Sequence, residues 1–430
     1  MSIVFDEIIS ELGSFFCEKK EIGKLISPFL VNRDLNGRVC LIINKDLEND
    51  SLVQQKLLEV REILVKKLTP HVVNAEHFIL FEEDFDRVIG NAPSFEVEWG
   101  GMVVRVVDRL ASGADWSRNP KVNSNIPRIV FFSIKGGVGR STALAVTAWS
   151  LAESGKKVLV LDSDLESPGL SSSLLPEDRR PDYGIVDWLV EDILNNGETV
   201  FSNMVATSDL SREGDIWVVP AYGRIPGEYI PKLGRIWMPK ILSNGTHQAW
   251  TERLNSLLNQ LEEKYEPDVI LIDSRAGIDE IASASVTSLG ASTVLLFAID
   301  GAQTWSGYSI LFEYWEQCGF SSDIGDKLQI IAPMIPDTFG AEYLDGINEN
   351  AWKIFTEHLY SEIPSSDPSG DYFNFNKDDI EAPHHPLPIL WNRGFTNLFS
   401  LYSSLSGTEP QQVKAVFGDF LVGIKQLIEV

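Results

Sequence analysis

The chain has 430 residues, 44% hydrophobic and 23% charged, an ordinary balance for a globular protein with room for two or three domains. Its 36 Lys and Arg stand against 62 Asp and Glu, and a net charge of −26 makes a surface that repels DNA, RNA and anionic lipid. No apolar run reaches the about 18 residues a membrane span needs, the first residues lack the basic start of a secretory leader, and Cys17, Cys40 and Cys318 are far apart with no C-x-x-C pair, so the expected setting is a reducing cytoplasm.

Residues 1–120 are expected to form a small α/β domain with a regulatory or partner-binding role. The spacing of Phe5, Ile8, Ile9, Leu12 and Phe16 predicts a helix, "RVCLIINKD" (38–46) a buried strand, and residues 50–68 a strongly periodic helix. "HFILFEEDF" (77–85) reads as a second strand, and "EVEWGGMVVRVVDRLA" (96–111) as a strand followed by a helix. The Ser-, Asn-, Gly- and Pro-rich segment 112–127 reads as a linker. Nothing in this first stretch has catalytic spacing.

From residue 127 strands alternate with helices, which predicts a mostly parallel sheet flanked by helices. Short apolar runs place strands at 128–133, 157–162, 215–220, 268–273, 292–299 and 328–333, and helices are expected at 141–155, 185–196 and 251–265. This core is expected to span 127–345, with 346–430 as an extension packing on it: a long loop over 361–385 and an amphipathic helix over 408–430. That helix carries Lys414 and Lys425 offset by Asp419 and Glu429, so it lacks the basic face of a lipid-binding helix. His384-His385 has no Cys or further His at ligand spacing and reads as a loop pair rather than a metal site.

The chemistry concentrates in three strand ends. "FFSIKGGVGRSTALA" (131–145) approaches the phosphate-loop pattern G-x-x-x-x-G-K-[ST], but has Ile134 at the first glycine and Arg140 at the lysine. Gly136, Gly137 and Gly139 let backbone amides turn inward toward an anion held at a helix N-terminus, and Ser141 can offer its hydroxyl to Mg²⁺. The next strand ends "VLVLDSDLESPG", placing Asp162 and Asp164 at its C-terminal edge, one suited to a metal shell and the other to orienting an attacking water. "DVILIDSRAG" ends in Asp273 after four apolar residues, the form of a metal-supporting carboxylate, and Gly277 gives the following loop room to move.

Taken in order, K-G-G-V-G-R-S-T, D-S-D-L-E-S-P-G-L and I-D-S-R-A-G resemble the deviant Walker A family of P-loop ATPases that includes MinD, ParA and the nitrogenase iron protein. Within it, they are most similar to a bacterial group with "KGGxGR" loops, "DxDLExPGL" strands and "DSRxG" switches, over residues 127 to 340. The resemblance implies that Lys135 reaches across a dimer interface to the partner's nucleotide. It implies that Gly136, Gly137, Val138, Gly139, Arg140, Ser141 and Thr142 hold the phosphates of ATP. Asp164 would position the water, and Ser141, Asp162 and Asp273 would hold Mg²⁺.

Two residues depart from the family. Arg140 replaces a lysine, which leaves open a working site built around arginine or a site that binds nucleotide and hydrolyses it poorly. Arg275 replaces a proline and could contact phosphate or pair with an acid. The strand "IIAPMIPDTFG" lacks the asparagine many relatives use for the base, so a preference for adenine is implied by the family alone. The function implied is a slow, partner-regulated ATPase switch, a homodimer in its ATP state, controlling an unidentified protein partner, with a role in a bacterial conflict or antiphage system. The alternatives are a non-hydrolysing scaffold stabilised by nucleotide and a ParA-type DNA-partitioning ATPase. Neither nucleic acid nor membrane is an expected partner.

Overall fold

The computed structural model describes residues 3–72, 74–122, 124–363, 372–395, 402, 405 and 410–429. They fall into two compact units, Met1–Arg118 with Gln317–Gly319, and Asn119–Glu316 with Phe320–Val430.

The first unit begins with α1 (Ile8–Glu18) and α2 (Lys20–Ile26), then β1 (Phe29–Arg33), β2 (Val39–Asn44), α3 (Ser51–Lys67), β3 (Ile79–Glu82), α4 (Phe85–Ile89), β4 (Ser94–Trp99) and β5 (Met102–Asp108). Its five strands lie in the order β3-β2-β1-β5-β4, with β1 parallel to β5 and β2 parallel to β3. Ile8, Leu12 and Phe16 of α1 and Val53, Leu57, Val60 and Leu64 of α3 bury their stripes against Val31, Leu41, Ile43, Val104 and Val106 of the sheet. Leu30, Ile42 and Val107 on the other face meet Phe85, Val88 and Ile89 of α4.

The strand-then-helix expectation for 96–111 is corrected: the segment is an antiparallel hairpin, β4 against β5, closing at Trp99↔Met102. Gly100 (φ +59°) and Gly101 (φ +85°) supply the two left-handed residues such a turn requires. Met102, Val104 and Val106 are buried while Val103 and Arg105 are exposed, a period of two rather than 3.6. The central strand β1 was not expected at all, because five residues give too short a run to show a period.

In the second unit β6 (Arg128–Ser133), α5 (Arg140–Glu153) and β7 (Val158–Asp162) come first, then α6 (Ser171–Leu174), α7 (Ile185–Ile193), α8 (Gly197–Phe201), β8 (Ala206–Ser208) and β9 (Ile216–Val219). There follow α9 (Tyr229–Leu233), the small hairpin β10 (Lys240–Ile241) and β11 (His247–Gln248), α10 (Trp250–Tyr265), β12 (Val269–Ala276) and α11 (Glu280–Ser283). The chain continues through β13 (Thr293–Phe297), α12 (Ala302–Gln317), α13 (Ser321–Gly325), β14 (Leu328–Ile335), α14 (Gly340–His358), β15 (Leu387–Leu390) and α15 (Pro410–Glu429).

Eight strands form one sheet in the order β15-β14-β13-β6-β12-β7-β9-β8, parallel throughout except β8 against β9. Every residue of β6, β7 and β13 is buried, as expected of parallel strands covered on both faces. The C-terminal ends of β6, β7 and β12 are neighbours, because β12 inserts between the two strands that α5 connects. That is the switch point where open α/β sheets place ligands.

Edge strands β8 and β15, the β10–β11 hairpin and helices α12 and α14 add to the expected elements. Residues 361–363 and 372–386 carry no helix or strand, in line with the expected loop, and 364–371 lie outside the described residues. Ile134, at the position of the missing glycine, packs into a notch at Gly307 of α12, where an added Cβ would come within 2.5 Å of its Cγ2. The closing helix α15 buries Val413, Val416, Phe417, Phe420 and Ile424 in the same core as α5. Gly423 lets it approach Leu387 of β15, which an added Cβ would meet at 2.7 Å. Among the described residues no helix is long and apolar enough to cross a membrane.

Candidate nucleotide-binding site

The loop between β6 and α5 turns through Gly137 (φ +77°) and Gly139 (φ +82°), conformations that a side chain would strain. Cβ atoms built on Gly136, Gly137 and Gly139 meet nothing within 4 Å, so the loop is an open cradle and not a packed turn. It leads into the N-terminus of α5, a 14-residue helix whose leading amides favour an anion. Gly136 through Thr142 line a cavity of about 530 Å³, together with Ser133, Asp164, Ser167 and Arg275. Val138 is buried, and Lys135 is exposed, outside the cavity lining, with no ion pair among the described residues.

Below the loop the structure gathers three carboxylates and one cation. Arg140 is buried, and its Nε donates to Asp273 Oδ1 at 2.8 Å while Nη2 reaches Asp164 Oδ2 at 3.3 Å and Nη1 reaches Ser133 Oγ at 3.4 Å. Burial works against its charge, but Asp273 and then Asp164 outweigh burial and hold the guanidinium above its usual pKa. The Ser141 hydroxyl donates to Asp273 Oδ2 at 2.7 Å.

Asp162 and Asp164 have different surroundings. Residues i and i+2 on a continuing strand would share a face, but β7 ends at Asp162 and Asp164 lies beyond it. Asp164 borders the cavity and accepts from the Ser167 amide at 3.2 Å. Burial raises its pKa and Asp273 adds to this, with Arg140 opposing. Asp162 is fully buried, and neither carboxyl oxygen has a hydrogen-bond partner. Burial, followed by repulsion from Asp273 and Asp164, holds its carboxyl well above the usual range, with the nearby amides of Ser171 and Asp164 offsetting part of the shift.

Buried carboxylate oxygens without partners, beside a Ser–Asp pair at the foot of an anion cradle, suit a hard divalent cation. Mg²⁺ takes few protein ligands and completes its shell from water and phosphate. Among the described residues there is no cluster of three His, Cys, Asp or Glu that would cage a metal without such help.

The far wall of the cavity came from residues the sequence reading did not single out. Pro333 and Met334 of β14, Ile389, Leu390, Trp391 and Asn392 at the end of β15, Phe395, and Val416 and Phe417 of α15 form it. Pairing between β14 and β15 slips between Ala332 and Ile335, and Met334 sits in the left-handed region at φ +59°. A non-glycine residue in that region is strained, and such strain gathers at ligand sites. Asn392 is held by the Gly394 amide, which donates to its Oδ1 at 2.8 Å. The loop after β7 is also anchored, because the Tyr229 hydroxyl on α9 donates to the Leu165 carbonyl at 2.6 Å.

His384 is fully buried, its Nδ1 facing the Tyr360 hydroxyl and its Nε2 at 3.1 Å from the Lys377 carbonyl. Both ring nitrogens are therefore engaged in packing the 372–385 segment.

A central β-strand, an open glycine loop and a helix, with acids at two neighbouring strand ends, define a P-loop nucleotide-binding domain. The family model for the CobQ/CobB/MinD/ParA nucleotide binding domain matches residues 129–427, and the chain belongs to that family.

Curated relatives match over shorter stretches. A cytosolic Fe-S cluster assembly factor of Debaryomyces hansenii is 35% identical over 81 residues, covering 19% of this chain and 27% of that protein. An iron-sulfur cluster carrier protein of Salmonella typhimurium is 31% identical over 120 residues, 27% of this chain and 30% of that protein. The septum site-determining protein MinD of Synechocystis is 29% identical over 151 residues, 35% of this chain and 46% of that protein. The chain thus spans less than half the length of each.

Among solved structures, MinD of Pyrococcus horikoshii complexed with Mg-ADP aligns with 18% identity and a TM-score of 0.43, covering 70% of this chain and 97% of that one. A ParA family ATPase of Chlorobium tepidum aligns with 18% identity and a TM-score of 0.44, covering 69% and 98%.

Proposed function

We propose that the chain is an ATP-binding and hydrolysing switch that dimerises with ATP and Mg²⁺ and controls a protein partner. One observation carries the reading: a single cavity is lined by an open glycine cradle with Asp164 and by an apolar set that includes Trp391. That is the polarity of a nucleotide, phosphates at the charged end and base at the apolar one.

The loop amides from Gly136 to Thr142 would bind the phosphates, with Arg140 beneath them. Ser141 and Asp273, backed by Asp162, would hold Mg²⁺, which neutralises phosphate charge when bound. Asp164, at the cavity edge, would orient the attacking water. Lys135 is exposed and outside the lining, a placement that suits contact with a second subunit. A setting in bacterial conflict or antiphage defence is supported by the sequence resemblance.

Light scattering on the Asp164→Ala protein with Mg²⁺ tests the reading. ATP should double the mass, and adding Lys135→Ala should prevent it. No change in mass while ATP binds would overturn the dimer switch. One observation favours the second reading, a non-hydrolysing scaffold: Arg140 is committed to Asp164 and Asp273, the acids hydrolysis would employ. ATP turnover abolished by Asp164→Ala would remove that alternative.

A further inference from the structure

Arg275 stands on the wall of the phosphate end of the cavity, two residues past Asp273. Pairing between β12 and β6 slips by one residue between Asp273 and Ala276, and a bulge of this kind re-aims the side chains it contains. The guanidinium pairs through Nη1 with Glu166 and through Nε with Asp279 Oδ2 at 3.1 Å. These acids belong to different loops. Glu166 lies two residues past Asp164 after β7, and Asp279 lies after β12, where it caps α11 by accepting from the Ala282 amide at 2.8 Å.

A guanidinium has five N–H donors in a planar fork, and these two acids leave donors for a further anion. The two pairings differ in how readily they can be exchanged. Asp279 is also held by its helix cap, whereas Glu166 is 42% exposed and can turn into water. A phosphate entering beside Glu166 would be repelled by that carboxylate and attracted by Arg275.

We propose that Arg275 is a phosphate-sensing positioning residue, which takes the terminal phosphate of a nucleoside triphosphate in exchange for Glu166. The exchange frees the loop after β7 from the loop after β12 when a triphosphate is present and rejoins them when a diphosphate is left. The proposal rests on the nucleotide-switch reading above and adds the residue that distinguishes the two nucleotide states.

Calorimetric titration of the full chain with Mg²⁺, using ADP and a non-hydrolysable ATP analogue, tests it on Arg275→Ala, Arg275→Lys and Glu166→Gln. Arg275→Ala should weaken the triphosphate analogue by about tenfold or more and leave ADP unchanged, since a charge-assisted bond to phosphate is lost. Arg275→Lys should fall between, keeping charge without the fork. Glu166→Gln should shift selectivity the other way, tightening the triphosphate by removing its competitor.

A purely structural bridge predicts that cutting either end has the same effect on both nucleotides. Selectivity unchanged in Arg275→Ala, or moved in the same direction by both cuts, overturns the proposal alone. A wild-type chain that binds neither nucleotide overturns the switch reading together with it. Should Arg275→Ala fail to fold, the opposite shifts of Arg275→Lys and Glu166→Gln still decide.

Discussion

The two units of this chain handle charge in opposite ways. In the first, the core between α1, α3 and the sheet is apolar throughout, and Asp115 is the only buried charged residue among those described. In the second, Arg140, Asp162 and Asp273 are buried at the strand ends, with Asp164 close beside them. The apolar core of the first unit responds little to pH or solutes, and its ion pairs, Arg33–Asp108 among them, lie outside that core. The second crowds three carboxyl groups around one guanidinium where a cation and an anion would bind together, so its stability should depend on what occupies the site.

Truncation sharpens that contrast most. Arg140→Ala removes the one cation among three acids and should cost about 3–5 kcal/mol in urea unfolding of the ligand-free protein. Phe16→Ala in the first unit, where the ring stacks on Trp99, should cost a similar ~3–5 kcal/mol by leaving a cavity. The pH dependence should separate them. The Arg140→Ala deficit should shrink as pH falls and Asp162 and Asp164, whose carboxyls are already raised, take up protons, while the Phe16→Ala deficit stays constant. Equal pH dependence in the two variants would break the comparison.

A smaller effect should come from the apolar wall. Trp391 is 38% exposed, so Trp391→Ala should change stability little, yet weaken nucleotide binding by about 1–3 kcal/mol if a base stacks there. Titration with a fluorescent nucleotide checks this.

The smallest effect concerns His384. Burial, with a contribution from His385, lowers its pKa below the ordinary 6.5 despite the Lys377 carbonyl. The folded state then binds fewer protons than the unfolded chain below that value, so stability is full above it and is lost as pH falls. Melting curves from pH 7 to 5 should show the loss, and His384→Gln should flatten it.

Much of the charged end of the site was legible in the sequence. Glycines before a helix and acids after apolar runs follow from local rules, and β6, β7 and β12 read as continuous buried runs. The apolar end was not legible. β15 carries Pro386 and Pro388 around its start, and prolines mask a strand except at a sheet edge, where this one lies. Trp391 and Phe417 become wall residues only because the fold brings them to the same cavity as a loop some 250 residues earlier in the chain. The hairpin at 94–108 is ambiguous in sequence because its valines suit either period, and only the Gly100-Gly101 turn decides between them. The commitment of Arg140 to two acids is a tertiary fact that no spacing discloses.

The place of α15 in the wall of the cavity has a consequence for biosynthesis. The glycine loop is translated first, and Val416 and Phe417 leave the ribosome long after it. Until then the cavity has an open side, and the apolar faces of α5 and β15 that α15 covers are exposed to the cell. Completion of the cavity is thereby deferred until α15 has been made. A ribosome that stalls before residue 410 leaves a chain with the glycine loop in place and the apolar wall short of Val416 and Phe417.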